Sequence, residues 1–343
     1  MSTTALTTSK VPGFDRRWNG TGPHYEVWYG KVDLPGDRAL WFRYKTLDGV
    51  IDEASCWAVV FDGDQIVGGK SRWWLNDVAD PGPVVAADME SDVGPPLRFE
   101  GRYAVFRAGD AHLDDANAIG CAGPIHWDLH WRDSGRRFRF VPSWLENLGI
   151  ADSTYDSCFS DLRVEGRVRW RDTVVEFDGA PGMIGHIQGT NIAGHSWAWS
   201  HCNNFDGDVD ACFEGLSARA LIGGFRSPLM TALVLFVDDR CYRFHGPLQI
   251  WKTRSCFDRQ CWTFNADNGE ARLVGKVEAP DDLALVRYTD TDGSDVWCYN
   301  SKLGDLELRL RDRERHLEQT LRSTGRAAFE TVTRDDPVED VVV

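Results

Sequence analysis

Short runs of alternating apolar and polar residues recur along the whole chain. They include Leu40–Thr46 (LWFRYKT), Cys56–Phe61 (CWAVVF), Leu97–Arg107 (LRFEGRYAVFR) and Leu162–Trp170 (LRVEGRVRW). Further on come Ala232–Val237 (ALVLFV), Leu248–Lys252 (LQIWK), Leu285–Tyr288 (LVRY) and Leu306–Leu310 (LELRL). A period of two, rich in Val, Trp, Phe and Tyr, predicts strands. Turn signals separate them: Asp62-Gly63-Asp64, Asp178-Gly179, Asp206-Gly207 and Asp292-Gly293. No run of helical periodicity stands out before about residue 311. Many strands at short spacing predict an all-β protein of barrels or sandwiches.

The 343 residues suit two such domains. Residues 179–194, GAPGMIGHIQGTNIAG, hold five glycines and lie near mid-chain. The expected division is an N-terminal tail (1–20), a first β domain (21–180), a glycine-rich linker or pocket loop (181–194) and a second β domain (195–333). An acidic, fraying tail (334–343) follows. A second loop is expected over Asp77–Pro96, which is rich in Pro, Gly and Asp.

Charge and cysteine narrow the function classes. A net charge of −15 argues against a nucleic-acid partner, whose phosphates call for a basic face. No apolar run reaches the roughly 20 residues of a membrane-spanning helix. The nine cysteines include no C-x-x-C pair, so zinc ribbons and thioredoxin-like sites lack support. The N-terminal MSTTALTTSKVPGFDRR has no apolar core of a secretory signal, so a cytoplasmic location with reduced thiols is expected.

The 15 tryptophans are the compositional oddity. The densest aromatic segment is Gly194–Asp208, GHSWAWSHCNNFDGD. Read as a strand, His195, Trp197, Trp199, His201 and Asn203 share one face, and Ser196, Ala198, Ser200, Cys202 and Asn204 the other. A face of large aromatic and amide groups opposite a face of small ones predicts a cavity wall. The plainer alternative is a core strand packed against the neighbouring domain.

Two other segments carry candidate chemistry. In IHWDLHW (Ile125–Trp131), Trp127 and Trp131 share one face with the aliphatics, while His126, Asp128 and His130 share the other. Asp128 could tune a flanking His for acid–base work, or the face could simply be solvated. In HYEVWYGK (His24–Lys31), Glu26 and Trp28 share a face, where a buried carboxyl would have a raised pKa. Tyr25, Val27 and Tyr29 share the opposite face. Tyr44 and Trp57, from the strands LWFRYKT and CWAVVF, join Trp28 and Trp127 as expected aromatic lining.

Familiar motifs fail. Gly194-His195-Ser196-Trp197-Ala198 misses the nucleophile elbow by one residue and lacks its strand-turn-helix setting. Asp290–Asp295 (DTDGSD) starts like a calcium loop, but Ser301 occupies the position of the twelfth-residue Glu, so a hairpin turn is expected. No Walker A loop, Rossmann fingerprint or H-E-x-x-H occurs.

WAWSHCNNF (Trp197–Phe205) resembles the W-x-W-x-Q-C-N-x-F stretch of tocopherol cyclases. It also resembles the broader lipocalin-like group of carotenoid 1,2-hydratases and fungal Diels–Alderases. HYEVWYGKV, LWFRYK and IHWDLHW resemble that group's first-domain strands, so the likeness spans about residues 20 to 325. His201 departs from the pattern, which has Gln there. The resemblance implies two lipocalin-like antiparallel β-barrel domains packed together around a hydrophobic ligand site. It implies catalysis without an organic cofactor on an isoprenoid or polyketide-derived polyene.

The expected function is a biosynthetic cyclase, pericyclic or acid-promoted, with an isoprenoid hydratase or a non-catalytic apolar carrier as the alternatives. His201, Asn203, Asp128 and Glu26 are the catalytic candidates. Trp197, Trp199, His195, Trp28, Tyr44, Trp57 and Trp127 are the binding candidates. No metal is expected, the partner is a hydrophobic small molecule, and a homodimer remains one of the open assemblies.

Overall fold

The computed structural model describes residues 11–78, 82–83, 103–140, 153–192, 194–207, 209–219, 221–222, 225–246, 249–335, 337 and 341–343. Nearly every element there is a strand, and the strands form two large antiparallel sheets. From edge to edge, the first holds Gln65–Trp73, Glu53–Asp62, Arg38–Asp48, His24–Leu34, Thr173–Gly189, Ser153–Trp170, Ile125–Asp133 and Asn117–Ala122. It ends in Ala111–Asp114, Tyr103–Ala108 and Gly82–Pro83. The second holds Arg240–Phe244, Met230–Val237, Ala211–Arg219, Ser196–Cys202, Leu317–Thr333 and Asp295–Asp312. Ala271–Glu278, Cys261–Asp267 and Arg254–Phe257 complete it. Among the described residues, no helix is long and apolar enough to cross a membrane.

The two halves share one plan. In the first, the hairpin Ser153–Trp170/Thr173–Gly189 returns its last strand to the opening strand His24–Leu34. In the second, Asp295–Asp312/Leu317–Thr333 does the same for Ser196–Cys202.

Each sheet curls into a half-barrel. A Cβ on Gly69 would lie 1.9 Å from the Ala122 carbonyl oxygen, so the edge strand of the first sheet folds back against its far side. In the second, the Ser217 and Ser255 hydroxyls meet at 2.8 Å across the concave side.

The period of two decides where each ring goes. Trp28, Tyr44 and Trp127 fill the first half-barrel, and Phe213, Trp262 and Phe264 the second. Tyr29, Trp41, Trp199 and Tyr288 belong to a third cluster that joins the sheets. The small face of Ser196–Cys202 turns into its own half-barrel, and the large face turns toward the other sheet.

Several elements differ from expectation. Most of the glycine-rich stretch 181–194 is strand, because Thr173–Gly189 continues through it. Its glycines admit neighbouring side chains rather than bend the chain: a Cβ on Gly182 would lie 2.7 Å from Val164. LQIWK contributes a helical turn, Gln249–Lys252, in which the Gln249 side chain accepts the Gly246 N–H at 3.1 Å. Beyond residue 311 the chain is again strand, Leu317–Thr333.

The ends are also tied down where they are described. Phe14 is buried in the first half-barrel, and Val342 donates its N–H to Leu285 at 2.8 Å. DTDGSD is a hairpin turn, closed by Gly293 N–H to the Asp290 carbonyl at 3.0 Å. The Asp77–Pro96 loop falls almost wholly outside the described residues.

Candidate active site

A cavity of about 540 Å³ lies between the two sheets. Tyr25, Val27 and Tyr29 reach it from the opening strand of the first sheet, Trp41 and Arg43 from its neighbour, and Tyr155 and Ile187 from the long hairpin. Trp197, Trp199, Leu216, Ala232, Tyr288 and Glu330 face them from the second half. Ile250 and Trp251 line the cavity while Trp251 remains 46 % exposed, so the short helix stands at the opening.

One hydrogen-bond path leaves the cavity. The Tyr29 hydroxyl donates to the Tyr155 hydroxyl, and Tyr155 donates to Glu214 Oε1. Trp199 Nε1 donates to the same oxygen at 3.2 Å. Glu214 is completely buried. Burial pushes its pKa up, and hydrogen bonds from Ser157, Tyr155, Trp199 and Ser160 offset that only in part. Burial also holds both tyrosines well above the ordinary phenol value. The path therefore joins a buried carboxyl of raised pKa with two neutral hydroxyls, both on residues of the cavity wall. Gly185 makes the path possible, since a Cβ there would sit 2.5 Å from the Tyr29 ring and hydroxyl. Tyr29 also meets Trp199 edge to face, with ring centroids 5.6 Å apart.

A second polar cluster flanks Trp199 on its other side. Glu330 is the cross-strand partner of Trp199 and accepts from Lys302 Nζ at 2.6 Å. Lys302 also donates to Asn300 and lies 5.4 Å from the Trp199 ring centre. Burial lowers the Lys302 pKa, and Glu330 opposes that shift. Arg43, directly opposite Tyr29 in the strand register, lies over the Tyr288 ring at 4.1 Å and the Trp57 ring at 4.9 Å.

Of the residues singled out in the sequence, Trp197 and Trp199 stand in the cavity wall. His201 stacks near Trp199, with ring centroids 6.3 Å apart, but lies deeper, where Nε2 donates to the Ser160 carbonyl at 2.7 Å. Burial, aided by the charge of Lys31, lowers its pKa to about 3, so the ring is neutral at neutral pH and is not an acid there. Asn203 donates to Asp161 and to the Gly182 carbonyl, tying the halves together. His195 is half-buried and engages Arg219 through its backbone, outside the cavity lining.

The first-domain candidates face elsewhere. Glu26 is buried, but its pKa is lowered, not raised. Burial pushes it up, and His186 at 2.9 Å with the backbone N–H groups of Arg17 and Trp18 outweigh that push. It anchors the N-terminal segment. Trp28 stacks on His186 at 4.6 Å, and Tyr44 accepts from Trp127 Nε1 at 2.9 Å; all three rings fill the first half-barrel. Asp128 pairs with His130 at 3.3 Å on the outer face. Trp57 packs beneath Arg43.

Glu214, Tyr155 and Tyr29 escaped the sequence reading. One signal was available: in ACFEGLSAR, Glu214 shares a face with Cys212, Leu216 and Ala218, a lone acid among apolar neighbours. The two tyrosines meet across 126 positions of sequence, which no local pattern reveals.

The profile of the family described as tocopherol cyclase-like matches residues 122–331. An uncharacterized protein of Mycobacterium tuberculosis, found in strains CDC 1551 / Oshkosh and H37Rv, is 24 % identical over 326 residues. The alignment covers 92 % of either chain. Among solved structures, kievitone hydratase from Nectria haematococca superposes with a TM-score of 0.51 at 11 % identity, covering 97 % of this chain and 96 % of that one. That likeness is one of fold.

Proposed function

The chain belongs to the tocopherol cyclase-like family, and on that premise we propose an enzyme that adds an O–H group across a carbon–carbon double bond of an apolar substrate. The observation that carries this reading is the Tyr29–Tyr155–Glu214 path, which begins in an aromatic cavity and ends at a buried carboxyl whose pKa is raised.

Glu214 is the proton reservoir. The resting hydrogen bonds point toward Glu214, so the hydroxyl protons first turn outward, Glu214 toward Tyr155, Tyr155 toward Tyr29 and Tyr29 toward the cavity. One proton then moves along each link, from Glu214 to Tyr155, from Tyr155 to Tyr29, and from Tyr29 to the alkene carbon. The π electrons form the new C–H bond and leave a cation at the adjacent carbon. The faces of Trp197 and Trp199 shelter that cation. A hydroxyl of the substrate or a water molecule then forms the C–O bond, and its released proton returns to Glu214. Capture by the substrate's own hydroxyl gives an isomeric ring; capture by water gives a hydrate. A pericyclic cyclisation would not draw on the proton path, and the path therefore favours acid catalysis.

The test is incubation with prenylated phenols and linear polyene alcohols, with products resolved by mass spectrometry. An isomer marks a cyclase and a gain of one water a hydratase. Unaltered ligand that still quenches tryptophan fluorescence marks a carrier and overturns the reading.

A further inference from the structure

Arg43 is the cavity's unanswered charge. It lines the cavity, is only 5 % exposed, and among the described residues no oxygen accepts a hydrogen bond from it. The rings of Tyr288 and Trp57 hold the guanidinium in place but satisfy none of its N–H groups. The acid that lines the cavity, Glu330, is engaged by Lys302.

The surroundings add positive charge. Lys45, Lys70 and Arg72 share one carboxylate, Glu53, at 3.7, 2.8 and 3.1 Å. Lys70 also lies over Trp57 at 4.1 Å. This end of the cavity is thus cationic in a chain whose net charge is −15. A buried guanidinium without a partner is costly, and an incoming anion that accepts its forked N–H groups removes the cost.

We propose that Arg43 receives an anionic oxygen, so that the substrate is an apolar skeleton carrying a carboxylate or an ionised enol. The inference rests on the reading of the cavity as a substrate site and names the class of that substrate. Trp197, Trp199 and Leu216 take the apolar body while Arg43 fixes its acidic end.

The experiment is equilibrium binding of cis-parinaric acid and of its methyl ester, followed by fluorescence, and it needs no turnover. The wild-type protein should bind the acid about tenfold or more tightly than the ester. Arg43→Gln should lose that preference while keeping ester affinity within about twofold, and Arg43→Lys should keep part of it. Glu214→Gln should keep the preference in full, so a failure of the proton path and a failure of the anion site are read separately.

Equal affinity for acid and ester in the wild type would overturn the proposal. So would a preference that survives Arg43→Gln, or one that disappears with Lys70→Gln. Should Arg43→Gln not fold, the wild type alone decides: the preference must vanish as the probe's carboxyl is protonated, and its persistence counts against the site.

Discussion

The Tyr155 hydroxyl, carried by the first sheet, donates to the Glu214 carboxyl, carried by the second. This hydrogen bond crosses from one half-barrel to the other and continues the path from the cavity. Glu214→Gln keeps the shape and removes the transferable proton. Turnover should fall by about 10²-fold or more, with fluorescence quenching by an apolar ligand retained. Tyr155→Phe should act in the same direction. Wild-type rates in both variants would remove the path from the mechanism.

The raised Glu214 pKa fixes the sign of the pH dependence. The acid form is the active one, so kcat should decline as pH rises through that raised value. Trp199→Phe keeps an apolar ring but deletes the Nε1 donor to Oε1. A carboxylate with one donor fewer is harder to form, so the alkaline limb should move to higher pH. A limb that stays in place would show that Trp199 acts only as wall.

His201 sets a stability window of its own. Its folded value, about 3, lies below the ordinary histidine value of 6.5. The unfolded chain therefore gains this proton first as pH falls. Stability from the neutral ring is present above 6.5 and is lost progressively from there down to about 3. Denaturant melts at pH 7 and pH 4 should differ by less in His201→Gln than in the wild type. An unchanged difference would place the acid sensitivity elsewhere.

The fold was legible because alternation is a local property. LWFRYKT, CWAVVF and LRVEGRVRW are strands, since each residue's side is set by its immediate neighbours. The site was only half legible. Trp197 and Trp199 stood out through the contrast of large and small faces. For His24–Lys31, the chemistry was sought on the face of Glu26 and Trp28, yet that face turns into the half-barrel. The face of Tyr25, Val27 and Tyr29 meets the cavity instead. Which side of a strand meets a second sheet depends on how two domains dock, and no period of two encodes that.

Asp128 and Glu26 separate surface and anchoring roles from chemistry. Asp128→Ala should leave turnover unchanged and shift stability by no more than about 1 kcal/mol, as for a half-buried ion pair on the outer face of a sheet. Glu26→Gln should leave the alkaline limb of kcat in place, because its carboxylate holds His186 and the N-terminal segment. Its cost should appear in thermal melts, at about 1–3 kcal/mol. A large loss of kcat in Asp128→Ala would return the outer face to the mechanism.

Gly185→Ala tests the path without altering any of its polar groups. The added methyl would lie 2.5 Å from the Tyr29 ring and hydroxyl, closer than two such atoms can stand. The glycine backbone is not in the left-handed region, so alanine brings no conformational penalty of its own there. The strain is to be relieved by moving the Tyr29 ring, whose described hydrogen-bond partner is the Tyr155 hydroxyl. That movement opens the Tyr29–Tyr155 link while Tyr155 keeps its bond to Glu214. Turnover should therefore fall about as far as in Tyr29→Phe, and the double variant Gly185→Ala/Tyr29→Phe should be no slower than either single one. An additive loss in the double variant would mean that Gly185 shapes the cavity by some route other than the tyrosine it underlies.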